Sequence, residues 1–195
     1  MRNIRLVFLL LIVSSVLAST ACQAQDNTSK QDNTSKPATK LESFQVRTGI
    51  VLVRGFTTVG KLHGLGDVTV DAREFRDAAN PSTYVSGISI SVKETNQLER
   101  ENISFIDADE IDSLLKGLDY ISKATKDITK LDHFEVEYRT KGDFSVTVFN
   151  QSNGSVAVAV SSGHIGKTTS YLKLQDIVEL ASLITSAKSK ISGLQ

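Results

Sequence analysis

Apolar and polar positions alternate along this chain in several distinct rhythms, and each rhythm predicts an element. Leu6 to Val13 is an unbroken apolar run that continues through Ser14 and Ser15 to Ala18. Gln25 to Lys36 reads QDNTSK twice, and Pro37-Ala38-Thr39-Lys40 extends the polar stretch. With nothing apolar to bury, residues 25–40 are expected to be a disordered polar linker. After Leu41 the period becomes two: Phe44, Val46, Thr48, Ile50 and Leu52 alternate as in a strand. Further strands are expected from Thr57 to Leu62, Val68 to Phe75, Val85 to Lys93 and Arg100 to Phe105, with Gly64, Gly66, Asn80 and Pro81 at the turns.

The period then lengthens. Ile111, Leu114, Leu115, Leu118 and Ile121 form a helical stripe, which predicts a helix over about residues 108–124. Asp107 is placed as its N-cap with Glu110 three residues on, and Ile106 and Ile111 suit a hydrophobic staple. The second half repeats the plan. Strands are predicted from His133 to Arg139, Phe144 to Phe149, Val156 to Val160 and Thr168 to Leu174, with Asn153-Gly154 as a hairpin signal. Ile177, Leu180, Ala181, Ile184, Ala187 and Ile191 are spaced as the buried face of a final helix. The predicted fold class is α+β, a single domain over residues 41–195, with an antiparallel sheet covered by two helices or two sheet-plus-helix halves packed together.

Composition adds a cellular reading. Arg2 and Arg5 precede the apolar run, which at about a dozen residues falls short of the ~20 a membrane-spanning helix needs. Residues 1–24 therefore read as a signal peptide, and the protein as exported, to the periplasm or beyond. Two processing sites stay open. Ser19-Thr20-Ala21-Cys22 resembles a bacterial lipobox, with Ser19 where leucine is usual; cleavage after Ala21 would leave Cys22 as a lipidation candidate and the only route to a membrane. Cleavage at Ala24 would suit an ordinary signal peptidase. Cys22 is the one cysteine, so the domain itself holds no disulfide, thiolate metal site or cysteine nucleophile. Removal of Arg2 and Arg5 leaves 20 Lys plus Arg against 22 Asp plus Glu, a formal charge of −2 that argues against a polyanion binder. The sequons at Asn27, Asn33, Asn102, Asn150 and Asn153 carry no expected glycans in a bacterial host.

Each chemical motif has a plainer explanation. Gly163-His164-Ile165-Gly166-Lys167-Thr168 has two residues between its glycines where a phosphate loop needs four, and a strand pattern follows it, so it predicts a turn. Asp107, Asp109, Glu110 and Asp112 lack the turn glycine of a calcium loop and suit the first turn of a helix. His63, His133 and His164 have no partners at metal-ligand spacing, and no G-x-S-x-G elbow nominates a serine. No metal, cofactor or catalytic residue is assigned.

The stretch from Ser104-Phe105-Ile106-Asp107 to Tyr120-Ile121-Ser122-Lys123, with Tyr138 to Asp143, resembles exported bacterial proteins without assigned function. From Phe44 to Ile191 the order of four strands and a helix, repeated, is similar to that of Whirly and Pur-type single-strand binders, at the level of element order. The absence of Trp and the acids offsetting strand cations count against nucleic acid as partner. The expected function is a non-catalytic binding or accessory protein of the bacterial envelope that contacts a protein or small ligand. An envelope hydrolase is the alternative, and single-stranded nucleic-acid binding a lesser one.

Overall fold

Two antiparallel sheets of four strands, each followed by a helix, account for most of the chain in the computed structural model, which describes residues 36–95 and 99–194. Helix α1 (Lys40–Gln45) precedes β1 (Leu52–Gly64), β2 (Gly66–Asp77), β3 (Tyr84–Glu94) and β4 (Arg100–Asp107), which pair in that order as sheet A. Helix α2 (Ile111–Ser122) and a 3-10 turn at Lys126–Ile128 lead into β5 (Glu135–Arg139), β6 (Ser145–Asn150), β7 (Val156–Ser162) and β8 (Thr168–Leu172), which form sheet B. Helix α3 (Asp176–Ser192) follows. The class is α+β, with two sheet-plus-helix halves. The proposed signal peptide, Cys22 and most of the proposed linker lie outside the described residues.

Alternation sets the faces. Val68, Val70 and Ala72 of β2 and Ile88, Ile90 and Val92 of β3 turn toward one core, which Val146, Val148, Val158 and Val160 of sheet B share. The helices are traded between halves. α2 packs on β5 and β6, α3 packs on β1, β2 and β3, and the two helices touch each other. Neither α2 nor α3 packs on the sheet it follows, and Lys36–Gln195 forms one compact unit. Two glycines permit the close approaches. A Cβ on Gly60 would lie 2.5 Å from Leu183 of α3, and one on Gly117 of α2 would lie 2.3 Å from the Tyr138 ring of β5. Burial, and then the nearby Glu110 carboxylate, push the Tyr138 hydroxyl above its ordinary pKa.

Two expectations are corrected here. The alternation from Phe44 to Leu52 is not a strand: Lys40–Gln45 is helical, and strand geometry begins at Leu52. Thr39 accepts from Glu42 N at 3.0 Å while the Glu42 carboxylate accepts from Thr39 N at 3.0 Å, a complete capping box. Leu41 and Phe44, three apart, both turn inward onto Phe75. Thr39 and Lys40 thus belong to the folded body, and the linker ends before Thr39. The second correction concerns the helix predicted from 108, which starts at Ile111 without any side-chain cap. Asp107 is spent on α1 instead: its two oxygens accept from Lys40 N at 2.8 Å and Leu41 N at 3.1 Å.

A strip of polar side chains joins the sheets. Ser104 and Ser162 hydroxyls lie 2.8 Å apart, and Thr168 donates to Val92 O at 2.8 Å. The Glu94 carboxylate accepts from Thr169 N at 2.8 Å and from Arg100 at 2.7 Å. Arg100 first, then the Thr169 N–H, holds Glu94 below the usual carboxylate range. A depressed folded value contributes stability that is present above the unfolded pKa and lost as pH falls through the folded one. Glu94→Gln is therefore expected to cost about 1–2 kcal/mol at pH 7 and progressively less as pH falls through the folded pKa of Glu94, the two proteins converging once Glu94 is protonated. Urea midpoints measured across pH check this, and a difference independent of pH would refute it.

Candidate functional site

Among the described residues no other element covers the face of sheet B turned away from the core. Registers Glu137↔Thr147, Thr147↔Ala159 and Ala159↔Tyr171 set four side chains across it, and Phe149↔Ala157 forms the neighbouring row. Phe149 on β6 and Tyr171 on β8 stand two strands apart, about 10 Å laterally. Between them lies Ala157, whose methyl group leaves the floor low. The result is an open cleft of about 660 Å³ with Phe149, Ala157, Leu172 and Tyr171 along it.

Sheet A supplies the opposite wall. The β1–β2 turn, His63 to Leu65, reaches the free edge of β8, where Leu65 N donates to Tyr171 O at 3.0 Å. Leu65 itself is 75% exposed beside the cleft. The approach demands glycine on both sides of Leu65. A Cβ on Gly64 would sit 2.2 Å from Tyr171 O, and Gly66 combines φ +129° with a Cβ position 2.4 Å from Lys93 O. The rim is polar: His63, Gln151, Lys173 and Asp176. Asp176 accepts from Lys173 N at 2.8 Å at the start of α3. His63 Nδ1 lies 2.7 Å from Asp67, which also receives Lys61 at 2.7 Å. Lys61 first holds the Asp67 carboxyl below its ordinary pKa, against the opposing effect of burial. Lys61 and Lys173 are matched by Asp67 and Asp176, so the rim favours neither sign of charge.

The other residues singled out in the sequence do not converge. His133 lies 3.4 Å from the Asn150 amide, and His164 lies 2.9 Å from Asp143 in the β7–β8 turn; both are exposed. The four acids disperse: Asp107 holds α1, Asp109 pairs with Lys40 at 2.6 Å, Glu110 accepts from Lys141 N at 2.9 Å, and Asp112 pairs with Lys188 at 2.5 Å. Among the described residues no three His, Cys, Asp or Glu side chains are grouped to hold a metal. Gly163 and Gly166, with φ +102° and +63°, turn β7 into β8, and the Asn102 amide donates to Gly166 O at 2.8 Å. That stretch is a fastened hairpin turn followed by a strand, the wrong geometry for a phosphate loop.

Sequence reasoning named none of Leu65, Phe149 and Tyr171 as site residues. The only signal was composition: small residues Ala157 and Ala159 on the second face of a strand whose first face is Val156, Val158 and Val160. No family model matches the chain, and no curated protein matches it.

Proposed function

We propose that this is an exported, non-catalytic binding protein of the bacterial envelope, and that the cleft on sheet B holds a compact apolar group of its ligand or of a partner protein. The observation that carries the reading is the pair of aromatics, Phe149 and Tyr171, flanking an alanine floor that no element among the described residues covers. A hollow of about 660 Å³ falls within the roughly 300–1,000 Å³ typical of ligand sites. Its lining is mostly apolar with a few polar groups at the edge, the usual division between affinity and orientation. The rim carries the pair His63–Asp67, but His63 is 74% exposed in its side chain, and no serine, threonine or cysteine bonds to its ring among the described residues. A hydrolase that uses a histidine-activated nucleophile needs that third group within hydrogen-bond reach. The signal-like N-terminus supports export, with Cys22 as the proposed anchor if it is lipidated. No helix among the described residues is long and apolar enough to cross a membrane.

Ala157→Phe tests the reading, because it fills the cleft from an outward position and leaves the core untouched. The neutral dye Nile red is expected to bind the mature full-length protein saturably at one site, and Ala157→Phe to weaken that binding about tenfold or more, as losing most of an apolar contact of ~1.5 kcal/mol requires. Unaltered dye binding in the variant would place the apolar site elsewhere. Turnover of ester or amide substrates that His63→Ala abolishes would replace the binding reading with the hydrolase.

A further inference from the structure

The outer edge of sheet A carries a second inference, independent of the cleft. β1 is 13 residues long, and among the described residues nothing pairs with its free side. Ala78 N donates to Val51 O at 2.9 Å, and on the far side of β2 Asp77 N donates to Thr83 O at 3.0 Å. These two bonds fix the alternation: Val53, Gly55 and Thr57 exchange hydrogen bonds with β2, while Leu52, Arg54, Phe56 and Thr58 point their backbone N–H and C=O outward. Sheet edges are ordinarily guarded by charges, prolines or bulges. β5, at the edge of sheet B, has Glu135, Glu137 and Arg139 within five residues. In β1 the register shift between Thr58 and Gly60 guards only the half beyond it. The stretch Leu52–Thr58 has one charge, Arg54, and exposes Val53 at 47% and Phe56 at 64%.

We propose that Leu52–Thr58 pairs antiparallel with the same stretch of a second copy, centred on Gly55, to join two copies of sheet A into one eight-stranded sheet. Outward groups meet only when even-numbered residues face even-numbered ones. Centring on Arg54 would set two guanidinium groups opposite each other, and centring on Phe56 would run the pairing into the bulge. Centring on Gly55 uses all seven residues and sets Arg54 against Phe56 of the second copy, on the face where Phe56 already stacks on the Arg73 guanidinium at 4.8 Å. On the opposite face, Val53 meets Thr57 of the second copy. There a hollow of about 260 Å³ between Gly55–Thr57 and Lys190 and Leu194 gives the added strand's side chains room. A seven-residue edge buries less than the ~800 Å² per partner of a stable dimer, so association is weak and depends on concentration.

Sedimentation equilibrium of the mature full-length protein, from about 1 µM to about 1 mM, reads the monomer–dimer balance directly. Dimer is expected to appear within that range, and monomer throughout overturns the proposal. Phe56→Lys sets a lysine against Arg54 twice per dimer and is expected to weaken association about tenfold. Adding Arg54→Glu to that variant restores opposite charges in the Gly55 register and is expected to recover the dimer. Failure of the rescue overturns the register. Arg54→Pro removes an outward N–H without touching the β1–β2 ladder, and a dimer that survives it in a protein of unchanged circular dichroism overturns edge pairing altogether.

Discussion

Gly66→Ala is expected to destabilise the protein by about 3 kcal/mol and to lower its melting temperature by about 10 °C, a large effect for the addition of one methyl group. Two costs combine at this position. A φ of +129° is a conformation that L residues rarely adopt, and the added Cβ would meet the Lys93 carbonyl at 2.4 Å, a backbone atom held within the β2–β3 pairing. Ser170, whose hydroxyl is buried, also stands 3.3 Å away, which adds to the crowding around the methyl group. Gly49→Ala separates the two costs. Gly49 has φ +77° and nothing within 4 Å of its Cβ position, so its substitution should show the backbone cost alone, about 1 kcal/mol. Equal losses in the two variants, measured by thermal or urea unfolding, would show that the crowding at Gly66 is relieved by movement of the turn. Because Gly66 adjoins Leu65, the same substitution is expected to weaken Nile red binding in the cleft.

Asp107→Ala should cost a similar amount, about 3 kcal/mol, and should act chiefly on α1. Asp107 is 3% exposed and its carboxylate is the acceptor for Lys40 N and Leu41 N, and bonds to a charged group contribute about 1.5–3 kcal/mol each, less when neighbours share the loss. Six residues cannot hold a helix alone, so α1 persists only while docked and capped. Its release would expose Phe75 and Phe105, whose rings meet edge to face with centroids 5.8 Å apart beneath Leu41 and Phe44. Hydrogen exchange at Leu41 and its neighbours should therefore accelerate more than exchange in α2. Preferential loss of α2 would return Asp107 to the role of α2 cap that its place in the sequence suggests. Asp107→Asn should fall between, since its side chain keeps one acceptor oxygen.

The Asp107 case shows where local pattern misleads. The residues Asp107 to Glu110 fit a capping box, and the carboxylate is used as a cap, but for a helix 67 residues away in the chain. Short-range spacing shows that a group is suited to a task; it says nothing about which distant donor will arrive. Phe44 to Leu52 makes the same point for periodicity. Phe44, Val46, Ile50 and Leu52 satisfy a period of two, yet Leu41 with Phe44 also satisfies the helical spacing, and the capping box at Thr39 and Glu42 chose the helix. Where one stretch fits two periods, the local hydrogen bonds decide, and here one partner, Thr39, lies in the stretch assigned by composition to the linker. The cleft was illegible for a related reason. Phe149 and Tyr171 are separated by 22 positions and by a strand, and only the registers of β6, β7 and β8 set them on one face with alanines between.

What the sequence determined by itself was most of the strands, the two long helices, their order and the α+β class, because each is written in the spacing of apolar side chains and in glycine and asparagine at the turns. Period two and period 3.6 are properties of a single segment, and burial rewards them wherever that segment ends up. Only the tertiary structure decided that α2 covers sheet B and α3 covers sheet A, that Asp107 serves α1, and that an aromatic-walled cleft opens beside the Leu65 turn. Those outcomes depend on contacts between segments far apart in the chain. Such contacts are selected by shape and by hydrogen-bonding groups left unsatisfied elsewhere, and no local pattern records them.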